Sequence, residues 1–377
     1  STSDPFYIAR RSARANVASR PKPAVRERQV WIRSFRWRMI ICPSSKPLGK
    51  GTKMRVVLYL VSILLTGCFS GSPNPDPRSS FTVLSWNISG SAFVSHPQEF
   101  EALLAFAAPD IVLLDEVDPS TSAVQLRAAL PPRQFGSNQG AATDDWHISF
   151  GTSGGRQRAV IASRDPLEEL EEFAGLVPYP EHAKRQITQR MVAVGQERWA
   201  ASMDAGIAVN AAIIRTGGQR LLVVAADLEC CGNDPESWAE LKRRVEAKEI
   251  RELIRRVVER TSVDGIVVAG DFNLVSTAIP LALIAGPYDT PHSGLIAAEL
   301  YHRDGEATWT WDGRGTPFPS RALDFQVYSP NTLRVAQGEI LDTEDITVEL
   351  SELHGLGAQW SLALSNHRPL VIQYSWH

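Results

Sequence analysis

The sequence predicts an α/β protein in which layers of strands pack against helices. Short apolar runs rich in β-branched residues alternate with longer segments of helical spacing. The clearest run covers residues 266–269 and leads through Gly270 into Asp271, Phe272 and Asn273, which is typical of a buried strand that ends in a turn. This alternation favours a layered α/β fold, but it is compatible with one doubly wound sheet as well as with two packed sheets.

The first 53 residues differ from the rest of the chain in composition. They hold 13 Lys or Arg against 2 acidic residues and show no apolar periodicity, so we expect a basic leader that does not fold. One interpretation is translated upstream sequence, with Met54 as the natural start of the protein. The other is an Arg- and Ser-rich transit peptide.

Residues 54–67 have the features of a secretory signal. The ten-residue apolar run at 56–65 is too short to span a bilayer of roughly 30 Å. Leu65, Thr66, Gly67 and Cys68 resemble the lipobox of bacterial lipoproteins, in which the chain is cut before a cysteine that is then lipidated. The resemblance implies a lipid on Cys68, a flexible tether at 68–80, and a protein held to a membrane of the bacterial cell envelope. The alternative is a buried strand with an incidental cysteine.

The expected folded body, residues 81–377, is strongly acidic. Without residues 1–67 the chain keeps 25 basic and 40 acidic residues, a formal charge of −15. This charge disfavours nonspecific binding of duplex DNA and leaves room for a small phosphate ester. Cys230 and Cys231 are adjacent, so they either form a strained vicinal disulfide or stay as two buried thiols, and no cysteine spacing fits a zinc site.

The elements of this body follow from apolar patterning. Helices are predicted at 99–107, 120–130 and 236–260, the last with Ala247, Ile250 and Ile254 on one face. A loop at 182–190 carries several basic residues and is predicted to be solvated, with a phosphate contact as the alternative. Strands are predicted at 81–87, 111–114, 146–150, 158–163, 190–195, 205–214, 221–226, 266–270, 307–311, 323–328 and 369–374.

Polar residues stand at the ends of four predicted strands, at Asn87, Asp271, Asp324 and His367. Asp271 and Asn273 are two positions apart, so on an extended backbone their side chains point to the same face and can reach one ligand. An Asx turn that caps the next helix is the alternative for any single position. Together the four strand ends predict one polar site.

Five motifs in order resemble the endonuclease/exonuclease/phosphatase superfamily: WN ending at Asn87, DE at Asp115 and Glu116, GDFN at 270–273, ALDF at 322–325, and SNHRP at 365–369. The resemblance covers roughly residues 80–377. It implies a four-layer sandwich of two mixed β-sheets flanked by helices. It also implies a monomeric phosphoesterase of the phosphodiesterase or endonuclease type that uses Mg²⁺, or Mn²⁺, to hydrolyse a phosphate ester.

The same resemblance implies a role for each motif residue. Glu116 is the main metal ligand, with Asn87 assisting it and Asn366 supplying a further oxygen. Asp271 orients or deprotonates the attacking water, and Asn273 donates amide protons to a phosphoryl oxygen. His367, held by Asp324, contacts the phosphate or transfers a proton.

Three positions depart from the family pattern. Asn366 stands where the family has Asp, which removes a negative charge from the metal site. Asp227, the remaining candidate catalytic residue, stands where many members have His, and Asp115 replaces the usual Gln. These changes motivate a rival hypothesis, a lipid-anchored module that binds a phosphate-bearing ligand without turnover.

Two further alternatives come from the residues themselves. GTSGG at 151–155 matches a nucleophile elbow around Ser153, but a predicted strand rather than a helix follows it, so we interpret the match as chance. A structural lipoprotein of the envelope is the other alternative, and it predicts neither phosphoesterase activity nor a phosphate ligand.

Overall fold

The computed structural model describes residues 80–132, 146–286 and 294–377. The predicted leader, signal peptide and lipidated Cys68, and the tether up to residue 79, lie outside the described residues. In the described ranges, the structure has no helix that is both long and apolar enough to cross a membrane.

The first sheet has six strands and contains both ends of the described body. In chain order the strands are β1 Ser80–Asn87, β2 Ile111–Val117, β3 His147–Phe150, β4 Arg158–Ser163, β11 Leu333–Ile340 and β12 Leu370–Trp376. Their order across the sheet is β11-β12-β1-β2-β4-β3. β1 and β2 are parallel and the other neighbours are antiparallel.

The second sheet is also six-stranded and mixed. Its strands are β5 Leu167–Glu169, β6 Ala208–Thr216, β7 Gln219–Asp227, β8 Gly265–Asp271, β9 Ile296–Ala297 and β10 Asp324–Tyr328. The order is β5-β6-β7-β8-β10-β9, and β7 and β8 form its parallel pair. The predicted sandwich of two mixed sheets is confirmed.

Alternating side chains show how the layers pack. Along β1, Val83 contributes to an apolar cluster shared by both sheets, whereas Leu84 belongs to a second cluster with Leu103 of a helix. Along β8, Val267 lies in the shared cluster and Val268 packs with the helical layer of the second sheet. Because successive strand residues point to opposite faces, each sheet is apolar on both faces and lies between the other sheet and a layer of helices.

Seven α-helices are described. They are α1 Pro97–Ala107, α2 Ala123–Ala129, α3 Glu181–Ala193, α4 Trp238–Arg260, α5 Ile279–Ala285, α6 Val348–His354 and α7 Trp360–Leu364. Short 3₁₀ helices cover Ala92–Val94, Glu197–Ala205 and Thr343–Asp345. The longest α-helix, α4, begins after Ser237, whose Oγ accepts a hydrogen bond from the backbone amide of Glu240. It buries Ala247, Ile250 and Ile254 as predicted.

The region 182–195 was predicted wrongly. Both the loop at 182–190 and the strand at 190–195 lie largely in α3, whose buried side is Ala183, Ile187 and Met191. These residues recur every four positions, a helical spacing. The apolar residues Val192 and Val194 were part of the predicted strand, but both side chains are exposed.

Other differences lie at the margins of the sheets. The predicted strand at 307–311 is reduced to isolated bridges from Trp311 to Arg321 and to His367. The outer strand β11, with its mostly polar or half-exposed pattern, was not predicted. Edge strands lack the second buried face that makes a strand visible in a sequence.

Gly270 of β8 lies very close to the neighbouring strand β7 of its own sheet and to Asp115 of the other sheet. Its φ is +139°, and a Cβ there would lie 2.1 Å from Ala226 O and 2.7 Å from Asp115 Oδ2. We expect Gly270→Ala to lower the free energy of unfolding by about 3 kcal/mol or more, because backbone strain adds to an unrelievable clash.

Urea unfolding followed by tryptophan fluorescence measures this loss. Gly218→Ala is the matched control, since φ is +82° there and nothing lies within 4 Å of the added Cβ. The free energy of unfolding of this control should fall by only about 1 kcal/mol. Equal losses in the two variants would contradict the proposed steric constraint.

Candidate active site

The candidate site lies where strand ends of both sheets meet. Asn87 ends β1 and Asp271 ends β8, and the Nδ2 of Asn87 donates to the Oδ2 of Asp271 over 3.1 Å. Parallel neighbours place their carboxyl ends at one edge, whereas an antiparallel neighbour starts there. Asp324, the first residue of β10, accordingly pairs in register with Asp271.

His367 is fixed through Nδ1 and its backbone, and its Nε2 faces Asp271. Nδ1 lies 2.9 Å from Asp324 Oδ2 and Nε2 lies 3.8 Å from Asp271 Oδ2. The indole of Trp86 donates to the carbonyl oxygen of His367 over 2.9 Å, and Ser365 Oγ accepts from its amide. The predicted pairing of His367 with Asp324 is present in the structure.

The charge state of His367 follows from these carboxylates. Burial lowers the pKa of His367, but attraction to Asp324 and Asp271 and the hydrogen bond to Asp324 outweigh burial and raise its pKa to about 9. At neutral pH the ring is therefore cationic. A cation at this edge attracts an anionic phosphate group.

Asp271 is the central carboxylate of the site. Its Oδ1 accepts from the amide of Asn273 over 2.9 Å, and its Oδ2 accepts from Asn87. Burial raises the pKa of Asp271 and so does repulsion from Asp324, while His367 lowers it, with the result at about 7. A carboxylate whose pKa lies near neutrality is suited to accept a proton from water.

Asn273 has its side chain partly engaged. Its backbone is left-handed, with φ +49°, and Nδ2 donates to Leu228 O over 2.9 Å. An amide nitrogen carries two protons, so one hydrogen bond leaves a second proton for a ligand. The predicted role as a phosphoryl donor is compatible with this arrangement.

Glu116 lies on a bulge in β2. The pairing with β4 shifts between Leu114 and Val117, which inserts one extra residue, and φ of Glu116 is +54°. A bulge re-aims side chains at a strand end. In the part of the chain that the structure describes, the half-buried Glu116 carboxylate forms no hydrogen bond or ion pair.

Ser89 connects the two predicted asparagine ligands. Its amide donates to Asn87 Oδ1 over 3.1 Å and its hydroxyl donates to Asn366 Oδ1 over 3.2 Å. Ser365 Oγ reaches the carbonyl of Asn87 at 2.7 Å. The structure thus brings Asn87 and the exposed Asn366 to the same place, on either side of a serine that the sequence analysis missed.

Asp115 and Asp227 are buried carboxyl groups with unpaired oxygens. Both oxygens of Asp227, and Oδ1 of Asp115, lack a hydrogen-bond partner. Burial raises the pKa of each group well above its usual range. Repulsion adds to this effect, chiefly from Asp271 at Asp115 and from Glu116 at Asp227. Burial and repulsion therefore favour the protonated form of both carboxyl groups relative to an exposed aspartate.

The donor atoms of the site fit a hard divalent cation. Oxygen atoms of carboxyl and amide groups are the ligands that Mg²⁺ and Mn²⁺ prefer. Within the described ranges no Lys or Arg forms an ion pair with any carboxylate of the site, so negative charge is in excess. Ligand atoms of Asp271, Asp324 and His367 also lie within 4.8 Å of one another.

Thr310 is a further residue that the sequence analysis missed. Its hydroxyl donates to Asp324 Oδ2 over 2.6 Å and accepts from the amides of Leu323 and Asp324, so it orients the carboxylate behind His367. No local pattern marks it, because it is a single threonine in an irregular segment.

Ser153 of the rival elbow is structural, since its buried hydroxyl accepts from Val177 N and β4 follows.

Comparison with known proteins now decides the family. Residues 84–367 match the model of the Endonuclease/Exonuclease/phosphatase family. The chain belongs to this family. Membership supports a phosphoesterase or nuclease kind of function, and the buried Asp271, Asp324 and His367 could hold a metal ion. No curated protein sequence matches the chain significantly.

Several solved structures are similar in fold. A humanized TDP2 from D. rerio is 16% identical, with 79% of this chain and 99% of that one covered and a TM-score of 0.47. Truncated TDP2 from Caenorhabditis elegans is 13% identical, with 78% and 98% covered and a TM-score of 0.48. The 3'-5' exonuclease NExo from Neisseria meningitidis is 16% identical, with 78% and 100% covered and a TM-score of 0.46.

Replacement of Thr310 tests its structural role. Thr310→Val removes the donor to Asp324 and leaves two buried amides without an acceptor, so we expect the free energy of unfolding to fall by about 2 to 4 kcal/mol. Urea unfolding measures the loss. Ser95→Ala is the control, because that exposed hydroxyl bonds one carbonyl and its loss should cost less than about 0.5 kcal/mol. A Thr310→Val protein as stable as the control would refute the role.

Proposed function

We propose that the protein is a phosphoesterase that depends on a divalent metal, Mg²⁺ or Mn²⁺, and hydrolyses a phosphate ester by attack of water. The observation that carries the proposal is the His367 ring fixed between Asp324 and Asp271, beside carboxyl oxygens that have no other partner. Family membership supports the same class of reaction.

The metal would be held by Glu116, Asn87 and Asn366. When bound there, it would withdraw negative charge from a phosphate group and so assist attack by water. The carboxylate of Glu116 is available for this purpose, and Ser89 holds the two asparagine oxygens on either side of itself.

The other residues divide the work of proton transfer and charge stabilisation. Asp271 accepts the proton of the attacking water, with its orientation fixed by Asn87 and by the amide of Asn273. His367 presents Nε2 to the phosphate while Asp324 holds Nδ1. Asn273 donates its second amide proton to a phosphoryl oxygen as charge builds there.

Asp227 takes the place of the family's second histidine. Burial raises the pKa of its carboxyl group well above the usual range and so favours the protonated form, which can donate one hydrogen bond, as a histidine N–H would. The substitution would thus preserve a donor to the phosphate rather than remove it.

The substrate class is proposed from charge. A body of charge −15 favours a small phosphate ester over nonspecific binding of duplex DNA.

We further propose a monomer attached to a membrane of the bacterial envelope through a lipid on Cys68. A lipid anchor would bring the site close to substrates released or exposed at that surface.

The first experiment tests hydrolysis. The full chain, incubated with bis-p-nitrophenyl phosphate and Mg²⁺ or Mn²⁺, should release nitrophenolate, and EDTA should abolish the release. His367→Ala and Asp271→Asn should each lower kcat/KM by about 10² to 10⁴. His182→Ala is the matched control, since that histidine is exposed on α3, and it should retain full activity.

Metal binding provides a second experiment that does not depend on turnover. In calorimetric titration with Mn²⁺, Glu116→Gln should weaken binding by about tenfold or more, whereas the exposed Glu101→Gln should leave it unchanged. Asn366→Asp should strengthen binding, because it restores a negative charge. Equal affinities in all variants would contradict the proposed ligand set.

A catalytically weakened binding module is the second candidate function. It is favoured by Asn366, which lacks the charge of an aspartate, and by the full burial of Asp227. A full-length protein that binds Mn²⁺ and inorganic phosphate yet hydrolyses no ester with any metal, even as Asn366→Asp, would support this module over the enzyme.

A further inference from the structure

The adjacent cysteines lie in the loop that follows β7 and the candidate site residue Asp227. Cys230 and Cys231 begin three residues after the end of β7 at Asp227. Both are free and exposed, and their Sγ atoms are 3.1 Å apart. The prediction of buried thiols is therefore wrong. Neither cysteine has a role in the phosphoester reaction proposed above.

The two thiols differ in reactivity. The hydrogen bond between the sulfurs is the largest effect on Cys231 and, together with attraction to Arg243 and against repulsion from Glu229, brings its pKa down to about 7. The same hydrogen bond raises the pKa of Cys230. Cys231 is thus the nucleophile of the pair, because the thiolate is the form that attacks a disulfide.

The cysteine segment is bonded firmly to helix α4. The guanidinium of Arg243, which is fully buried, donates to three backbone carbonyl oxygens of the segment. These are the carbonyl oxygens of Glu229 at 2.9 Å, Cys231 at 2.6 Å and Gly232 at 2.8 Å. Any rotation of the backbone at Cys231 must break at least one of these bonds.

The other end of the segment is bonded to the catalytic strand. Leu228 N donates to Asp271 O over 2.9 Å, and Leu228 O accepts from Asn273 Nδ2 over 2.9 Å. Leu228 also follows Asp227 directly. A change of backbone at 230–231 can therefore reach Asp227 through the chain, and Asp271 and Asn273 through the hydrogen bonds of Leu228.

A cross-link between neighbouring cysteines requires such a change. Consecutive Cα atoms are about 3.8 Å apart, below the range of about 4.4 to 6.8 Å found in disulfides. Cys231 already has a left-handed backbone, with φ +65°. The disulfide would be strained and readily reduced, which is typical of regulatory rather than structural disulfides.

We propose that Cys230 and Cys231 are a redox modification site, in which a small-molecule disulfide converts the dithiol to a vicinal disulfide and the cross-link alters the candidate active site through Leu228. The Cys231 thiolate attacks the small disulfide, forms a mixed disulfide and releases one thiolate. Cys230 then loses its proton to solvent, and its sulfur attacks Cys231 Sγ and displaces the second thiolate. The protein dithiol loses two electrons and the small disulfide gains them.

Mass spectrometry of the full chain tests the modification itself. The tryptic peptide 221–242 holds both cysteines and excludes Cys42 and Cys68. After native incubation in oxidised glutathione, the peptide should have lost two hydrogen atoms, and dithiothreitol should restore them. Cys230→Ser should instead retain a glutathione adduct on Cys231. A wild-type peptide that stays reduced, or that carries only glutathione adducts, overturns the proposal.

Hydrogen exchange tests the coupling to the site. The amide of Leu228 should exchange about tenfold faster or more in the oxidised protein than in the reduced protein, because its bond to Asp271 is disturbed. Oxidised and reduced Cys230→Ser should exchange at equal rates. Unchanged exchange in wild-type protein that carries the disulfide overturns the coupling.

Activity provides a third measurement, which rests on the proposed function. Oxidation should lower hydrolysis of bis-p-nitrophenyl phosphate by about tenfold or more and dithiothreitol should restore it, because small displacements at a site are costly to catalysis. Cys230→Ser should be insensitive to oxidation. An inactive reduced protein would refute the proposed function alone, since mass and hydrogen exchange still decide the redox site.

Discussion

The close face-to-face packing of the two sheets is the constraint on which the site depends. At Gly270 the backbone of β8 lies so close to Asp115 of the other sheet, and to Ala226 of the neighbouring strand β7 in its own sheet, that no side chain fits. This approach lets Asn87 of one sheet donate directly to Asp271 of the other. A wider separation would leave the same polar residues at two unconnected sheet edges.

Packing at this distance has an electrostatic consequence. Carboxyl groups from both sheets meet in a buried space, and repulsion together with lost hydration raises the pKa of Asp115, Asp227 and Asp271. Such an arrangement weakens folding unless protons, a histidinium or a metal offset the charge. The buried carboxyl groups therefore lower the stability of the fold, but the same concentration of negative charge is suited to hold a cation.

Buried polar residues behind the site hold His367 and Asp324 in place. Arg368 is fully buried between Asp312 and Asp342, directly after His367. Thr310 fixes Asp324 from the other side, and the indole of Trp86 fixes the backbone of His367. His367 is thereby held in place by residues from separate stretches of the sequence.

The sequence by itself predicted the α/β class and, through its motifs, the resemblance to the family, because strand patterning and short motifs are local. Asn87, Glu116, Asp271 and His367 each stand in such a motif. The helical spacing of Ile187 and Met191 is present in the sequence, but only the tertiary structure showed that these side chains are buried against residues distant in sequence and that α3 is a helix. It alone revealed Ser89, Thr310 and the partnerless oxygens of Asp227, because hydrogen bonding and burial depend on which distant segments come together.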